Sequence, residues 1–224
     1  MTQEINERRG RKADPAKKTE LLNLQEIDSS IILELGSIGA GHAATSLSEV
    51  LQQPVHIDVP RMLNIEPHLI PKFFNKHEMP TIAVYLQLRD TYSCDILLMF
   101  ELTEAKKIAA MMTFASSIEE LDPVMEKSAI HELANILIGS FLSSISDFIG
   151  ISLMPSTPES IVDGFDAILD SFLIKQSMDS DNAMLFETRF KREEEDAKCM
   201  LMIFPGREIK ELMIEKSKVL LTSS

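Results

Sequence analysis

The sequence predicts an α+β fold, an internally duplicated pseudo-twofold domain in which an antiparallel sheet carries packed helices. Three observations lead there. The chain repeats itself at an offset of 98 residues, each copy opens on a helical pattern, and each continues into paired runs of alternating apolar residues.

Residues 1–26 stand outside the repeat. They carry Arg8, Arg9, Arg11, Lys12, Lys17 and Lys18 among few apolar side chains, too few to offset the entropy of ordering, and are expected to form a flexible basic tail. The segment has no apolar stretch that could serve as a secretion signal. Repeat one spans about 27–120 and repeat two about 125–220, together one domain over 27–220.

The duplication is clearest where Ser30–Pro60 lies over Ser128–Pro158 without a gap. Nine pairs are identical: Ser30/Ser128, Ile32/Ile130, Glu34/Glu132, Leu35/Leu133, Ile38/Ile136, Gly41/Gly139, Ser46/Ser144, Ser48/Ser146 and Pro60/Pro158. Chance would give about two. Apolar residues at Ile31, Leu35 and Ile38, and at Ala129, Leu133 and Ile136, mark the helices and their expected buried side. After a proline-marked turn, Thr81–Leu88 with Cys94–Phe100 and Ala183–Phe190 with Cys199–Phe204 read as two β-hairpins. Their turns are polar, at Arg89–Thr91 and over the charged run Lys191–Lys198. Thr103–Phe114 and Arg207–Leu220 read as a helix after each hairpin.

Composition excludes several function classes. With 22 Lys and Arg against 35 Asp and Glu, the net charge of -13 repels nucleic acid and anionic membrane. Cys94 and Cys199 are too few for a zinc ribbon or a disulfide framework, and each sits in an apolar run, as expected of buried thiols in a reducing cytoplasm. Leu133–Met154 is apolar enough to suggest a membrane span, but its Asn135, Asp147 and five serines point to a helix packed on protein, so no span is expected.

Some familiar motifs fail on inspection. Gly36, Gly39 and Gly41 follow helical periodicity and have the reverse spacing of a dinucleotide fingerprint, so close helix packing is their expected role. The run His131-Glu132-Leu133-Ala134-Asn135 starts like a zinc-protease helix but has Asn135 where the second histidine is required. No metal site or cofactor on this chain is expected. What remains is a polar stripe on each first helix: Ser128, Glu132 and Asn135 in the second repeat, Ser30, Glu34 and Ser37 in the first. Positions i, i+4 and i+7 share one helix face, so a carboxylate and an amide project together from a rigid support.

The pattern Ser128-x3-Glu132-x2-Asn135-x22-Pro158 resembles the signature of the CheC family of chemotaxis phosphatases, which includes CheX- and FliY-like proteins, and Glu34–His42 resembles that family's opening helix. The resemblance covers roughly residues 27–220. It implies a pseudo-symmetric helix pair on an antiparallel sheet, with a potential active centre on each first helix. It also implies that Glu132 docks on the lysine of a phosphorylated CheY-type response regulator while Asn135 orients the attacking water, Mg²⁺ being supplied by the regulator. Ser37 stands where the family has asparagine, so the centre at Glu34 and Ser37 is expected to be weak or purely binding. The expected function is a cytoplasmic hydrolase of aspartyl phosphate. The alternatives are a non-catalytic adaptor that holds a response regulator or the CheD receptor deamidase, and the CheC-like part of a flagellar switch protein. The end of the chain at Ser224, with no added switch domain, is read against the last.

Overall fold

The computed structural model describes residues 27, 29–74, 78–89, 91–176, 182–192 and 195–222. The basic tail expected over residues 1–26 lies outside them. Each repeat runs helix, strand, short helix, two strands and helix. The first comprises α1 (Ser29–Leu51), β1 (His56–Ile65), a 3₁₀ helix (Pro67–Phe73), β2 (Pro80–Arg89), β3 (Ser93–Glu101) and α2 (Leu102–Thr113). The second comprises α3 (Pro123–Ile149), β4 (Glu159–Gly164), α4 (Phe165–Gln176), β5 (Ala183–Arg192), β6 (Glu195–Pro205) and α5 (Arg207–Thr222).

All six strands join one antiparallel sheet in the order β1-β5-β6-β3-β2-β4. Exchanging the two repeats reverses that order and leaves it otherwise unchanged, the topological mark of the pseudo-twofold. The axis passes between the central strands β3 and β6. Each repeat sends its first strand across to the other repeat's hairpin, β1 onto β5 and β4 onto β2.

Alternation along the strands builds two apolar faces. Ile82, Val84, Leu86, Ile96, Leu98, Phe186, Leu201 and Ile203 face a layer made by α1, α2, α3 and α5, while Ala83, Leu97, Met99, Leu185, Met202 and Phe204 face α4 and the 3₁₀ helix. On the second side Phe172 of α4 stacks edge-on between Tyr85 and Phe204, with ring centroids 5.7 and 5.0 Å away.

The helix that matters most is α3. Asp122 caps its start, accepting from Val124 N–H at 2.9 Å and Met125 N–H at 3.1 Å, and Pro123 takes the first-turn position where a missing N–H costs nothing. Gly150 ends it with a φ of 75°. The helix has the length and apolarity of a membrane span, and it buries Ile130, Leu133, Leu137, Phe141 and Ile145 among others against protein. It packs on α1, α2 and α5. Ser144 Oγ donates to the Leu35 carbonyl at 2.9 Å, and a Cβ on Gly39 would lie 2.9 Å from the Cα of Phe141. Residue numbers rise along α1 as they fall along α3, so the two helices run antiparallel in close contact.

Two of the repeated serines clamp the chain as it leaves these helices. Ser48 Oγ donates to Ala44 O at 2.6 Å and accepts from Val55 N–H at 2.9 Å; Ser146 Oγ donates to Ile151 O and accepts from Leu153 N–H at 3.1 Å. Val55 and Leu153 are themselves an equivalent pair. The clamp fixes the path from each helix into its following strand, which gives the constant 22-residue interval a structural cause.

The structure corrects several expectations. Pro60 is not in a turn: it lies within β1, at the register irregularity between Asp58 and Arg61, a place that an edge strand allows a proline. Pro158 directly precedes β4. Neither β1 nor β4 was read from the sequence, nor was α4. Ile38 is 41% exposed, because the buried side of α1 runs through Ile32, Leu35, Gly39 and Ala43. The charged run Lys191–Lys198 is mostly strand, with residues 193–194 outside the described set.

Two tests follow from α3. Gly39→Ala, despite the better helix propensity of alanine, is expected to destabilise the protein by about 1–2 kcal/mol, since its Cβ meets Phe141 backbone that cannot move alone; an unchanged or raised melting temperature contradicts this. The second concerns His131, whose Nε2 lies 2.9 Å from Ser160 Oγ and ties α3 to β4. Burial first, and the Lys127 charge second, hold its pKa below the ordinary value. Folding therefore selects the neutral ring, and this stability is complete above about pH 6.5 and is lost as pH falls toward the depressed folded pKa. Thermal melts between pH 8 and pH 5 should show a smaller acid-induced loss in His131→Gln than in the parent, whereas parallel profiles refute the assignment.

Candidate functional site

Glu132 and Asn135 project from the solvent side of α3, opposite the buried row Ala129, Leu133, Leu137. Ser128 precedes them on the same exposed side. The helix beneath is fixed by its caps and by α1, so the carboxylate and amide have a rigid base. The corresponding Ser30, Glu34 and Ser37 of α1 are exposed as well. All four candidate site residues thus lie at the surface, two on each helix.

The helix pair does not bring the two centres together. With Leu35 level with Ser144 across the antiparallel contact, Glu34 lies about 20 Å along the axes from Glu132 at 1.5 Å per residue. Each centre stands toward the opposite end of the pair and is approached separately.

The centres differ chemically. Asn135 carries an amide able to donate and accept outward. The Ser37 hydroxyl instead donates to the carbonyl of Leu33 at 2.9 Å, one turn back on its own helix. Leu33 and Ile38, 40% and 41% exposed, flank the first centre, while the equivalent His131 and Ile136 are half-buried. The first face is therefore the more apolar.

One pair of glycines departs from the expected role. Gly36 and Gly39 do serve close packing: a Cβ on Gly36 would be 2.7 Å from the Phe186 ring. At Gly41 and at Gly139 an added Cβ meets nothing within 4 Å among the described residues, and neither residue has a positive φ. Each costs its helix about 1 kcal/mol relative to alanine with no packing return from the described residues. Beyond Gly139 the same side of α3 forms a groove with Ser143, Asp147, Ile151 and Met154.

Elsewhere, a second cleft on the other side of the sheet, lined by Arg61, Phe73, Thr81, Glu101, Glu104 and Lys198, holds none of the candidate residues. Cys94 and Cys199 are buried free thiols, and burial pushes the Cys199 thiol far above its usual value. Among the described residues, no three His, Cys, Asp or Glu side chains cluster as a metal site requires.

Comparison with known proteins converges on one group. A model of the CheC-like family matches residues 125–162, the segment that holds Glu132, Asn135 and Pro158. The CheY-P phosphatase CheC of Bacillus subtilis is 26% identical over 187 residues, covering 81% of this chain and 90% of that protein. The flagellar motor switch phosphatase FliY of the same organism is 30% identical over 140 residues, 61% of this chain but 36% of FliY. In structure, Thermotoga maritima FliY superposes with a TM-score of 0.68 at 23% identity, covering 88% of this chain and 98% of that one. The FliM middle domain of H. pylori shares the fold at a TM-score of 0.58 and 8% identity, with 85% and 99% covered. By its helix-borne motif and its sequence relatives, the chain is similar to the CheC-like family.

Proposed function

We propose that the protein is a chemotaxis phosphatase that hydrolyses the aspartyl phosphate of a CheY-type response regulator in the cytoplasm, with residues 27–220 acting as one CheC-like unit. The observation that carries this reading is the exposed Glu132/Asn135 pair on the rigid α3, inside the segment that the family model matches. The relatives named CheY-P phosphatase and motor switch phosphatase support the reaction class.

In this reading Glu132 pairs with the lysine of the regulator's phosphorylation site and fixes the orientation of docking. The Asn135 amide hydrogen-bonds a water and holds it in line with the phosphorus. The water oxygen forms the new P–O bond as the bond to the aspartyl carboxylate breaks, leaving free aspartate and inorganic phosphate. No nucleophile is needed on this chain, because an acyl phosphate is already labile and phosphoryl transfer requires mainly positioning and charge neutralisation. The regulator brings its own Mg²⁺. The net charge of -13 fits a protein partner and disfavours nucleic acid.

The first centre is read as a weaker docking face. Its hydroxyl is turned onto its own helix, and its exposed Leu33 and Ile38 suit contact with a protein surface. This face supports the second reading, an adaptor that holds a regulator or a CheD-type deamidase.

Phosphate release from a phosphorylated CheY-type regulator separates the readings. Glu132→Ala combined with Asn135→Ala should remove most turnover, about 100-fold for loss of an oriented water. Glu34→Ala should remove a smaller part, and Ser37→Asn should raise turnover. Parental rates in every variant would replace the phosphatase with the adaptor. Chelator should abolish turnover through the regulator, and titration of the isolated protein with Mg²⁺ should show no stoichiometric tight binding; a site on this chain would refute that part of the mechanism.

A further inference from the structure

We propose that Gly139, and in the first repeat Gly41, is a steric clearance that lets the backbone of the phosphorylated regulator press against the centre, making Gly139 a specificity-determining residue. The inference rests on the phosphatase reading and deepens it.

A helix interior has two internal reasons to hold glycine, a positive φ or a neighbour too close for a Cβ. Gly36 and Gly39 have the second reason. Among the described residues Gly41 and Gly139 have neither, yet they are the glycine pair that recurs between the repeats at the same register. The described fold leaves their small size unexplained. The open space suits a surface that docks there.

Their position says what that is. Gly139 lies seven residues after Glu132 and four after Asn135, so it continues the same face by one turn. Helical side chains lean toward the N-terminus and cover the turn before their own Cα. A side chain at position 139 would therefore lie over Asn135, and one at position 41 over Ser37. The amide of asparagine is short. To hold a water against a phosphorus atom that is itself carried on a short aspartyl side chain, the two protein surfaces must come into van der Waals contact beside it. Any group larger than hydrogen at position 139 widens that gap. The groove running on from Gly139 past Ser143 and Asp147 to Ile151 and Met154 is continuous with this face and gives the regulator an extended seat, larger than a free acyl phosphate needs.

The test uses the full chain with Gly139→Ala and Gly139→Val, a phosphorylated CheY-type regulator for turnover, and the same regulator loaded with beryllofluoride for binding. Gly139→Ala should raise the melting temperature by about 2–4 °C, because helix propensity improves and no clash arises. It should lower kcat/KM at least about tenfold, the effect of displacing the docked surfaces by a fraction of an ångström. Gly139→Val should lose more activity and weaken beryllofluoride-regulator binding. Gly41→Ala should give the same thermal gain with a smaller loss of turnover. If Gly139→Ala and Gly139→Val keep parental turnover and binding, the clearance is refuted while the phosphatase reading stands. A fall in melting temperature with the fall in activity also refutes it, by revealing an internal packing role. If the parent neither binds nor dephosphorylates the regulator, the phosphatase reading fails and the clearance falls with it.

Discussion

The contact between α1 and α3 governs where everything else can stand. At Gly39 the backbone of one helix meets the backbone of the other around Phe141, and Ser144 adds a hydrogen bond to Leu35 O a turn away. Helices this close admit no adjustment of depth, and their rotation is fixed by which residues interdigitate. The outward faces are determined by the inward ones. Burying Leu35, Ala43, Leu133 and Phe141 leaves Glu34 and Glu132 nowhere to point except into solvent. The candidate centres are thus consequences of core packing, with no loop involved in aiming them.

Symmetry of the frame coexists with asymmetry of its surface. The two repeats retain the same strand exchange, the same serine clamps at Ser48 and Ser146, and the same open glycines. The centres diverge where the backbone imposes no demand. An exposed helix position tolerates serine or asparagine with little difference in stability. Ser37 against Asn135 is therefore a change that the fold permits freely, and under the proposed mechanism it is the change that separates the two centres.

How much was legible in the sequence follows burial. The hairpins β2–β3 and β5–β6 announced themselves because they lie inside the sheet, where strands such as β3 are buried from Cys94 to Phe100. The edge strands did not. The exposure of β4 alternates only weakly, and β1 contains Pro60 at a bulge, so neither shows a clean period of two. α4 has a proper helical row in Phe165, Ile168, Leu169, Phe172 and Leu173, but its counterpart in the first repeat is a short 3₁₀ helix with Pro67 and Pro71, so matching the repeats gives no hint of it. The stripe of Glu132 and Asn135 was visible from spacing alone. The openness around Gly139 was not, because a sequence cannot distinguish a glycine that has a neighbour from one that lacks it.

The exchange of first strands makes each half of this chain an incomplete object. β1 finds its hydrogen-bonding partner in β5, 135 residues away from His56 to Lys191, and β4 finds its own in β2. A polypeptide holding only one repeat would carry a strand with no place to pair and a hairpin with an open edge, the two complementary features that drive chains to associate. Two such polypeptides would satisfy one another in the arrangement that the linked repeats have here. The duplicated protein is in this sense a dimer of half-chains made permanent by a covalent connection, and that connection is what allows the two faces to differ.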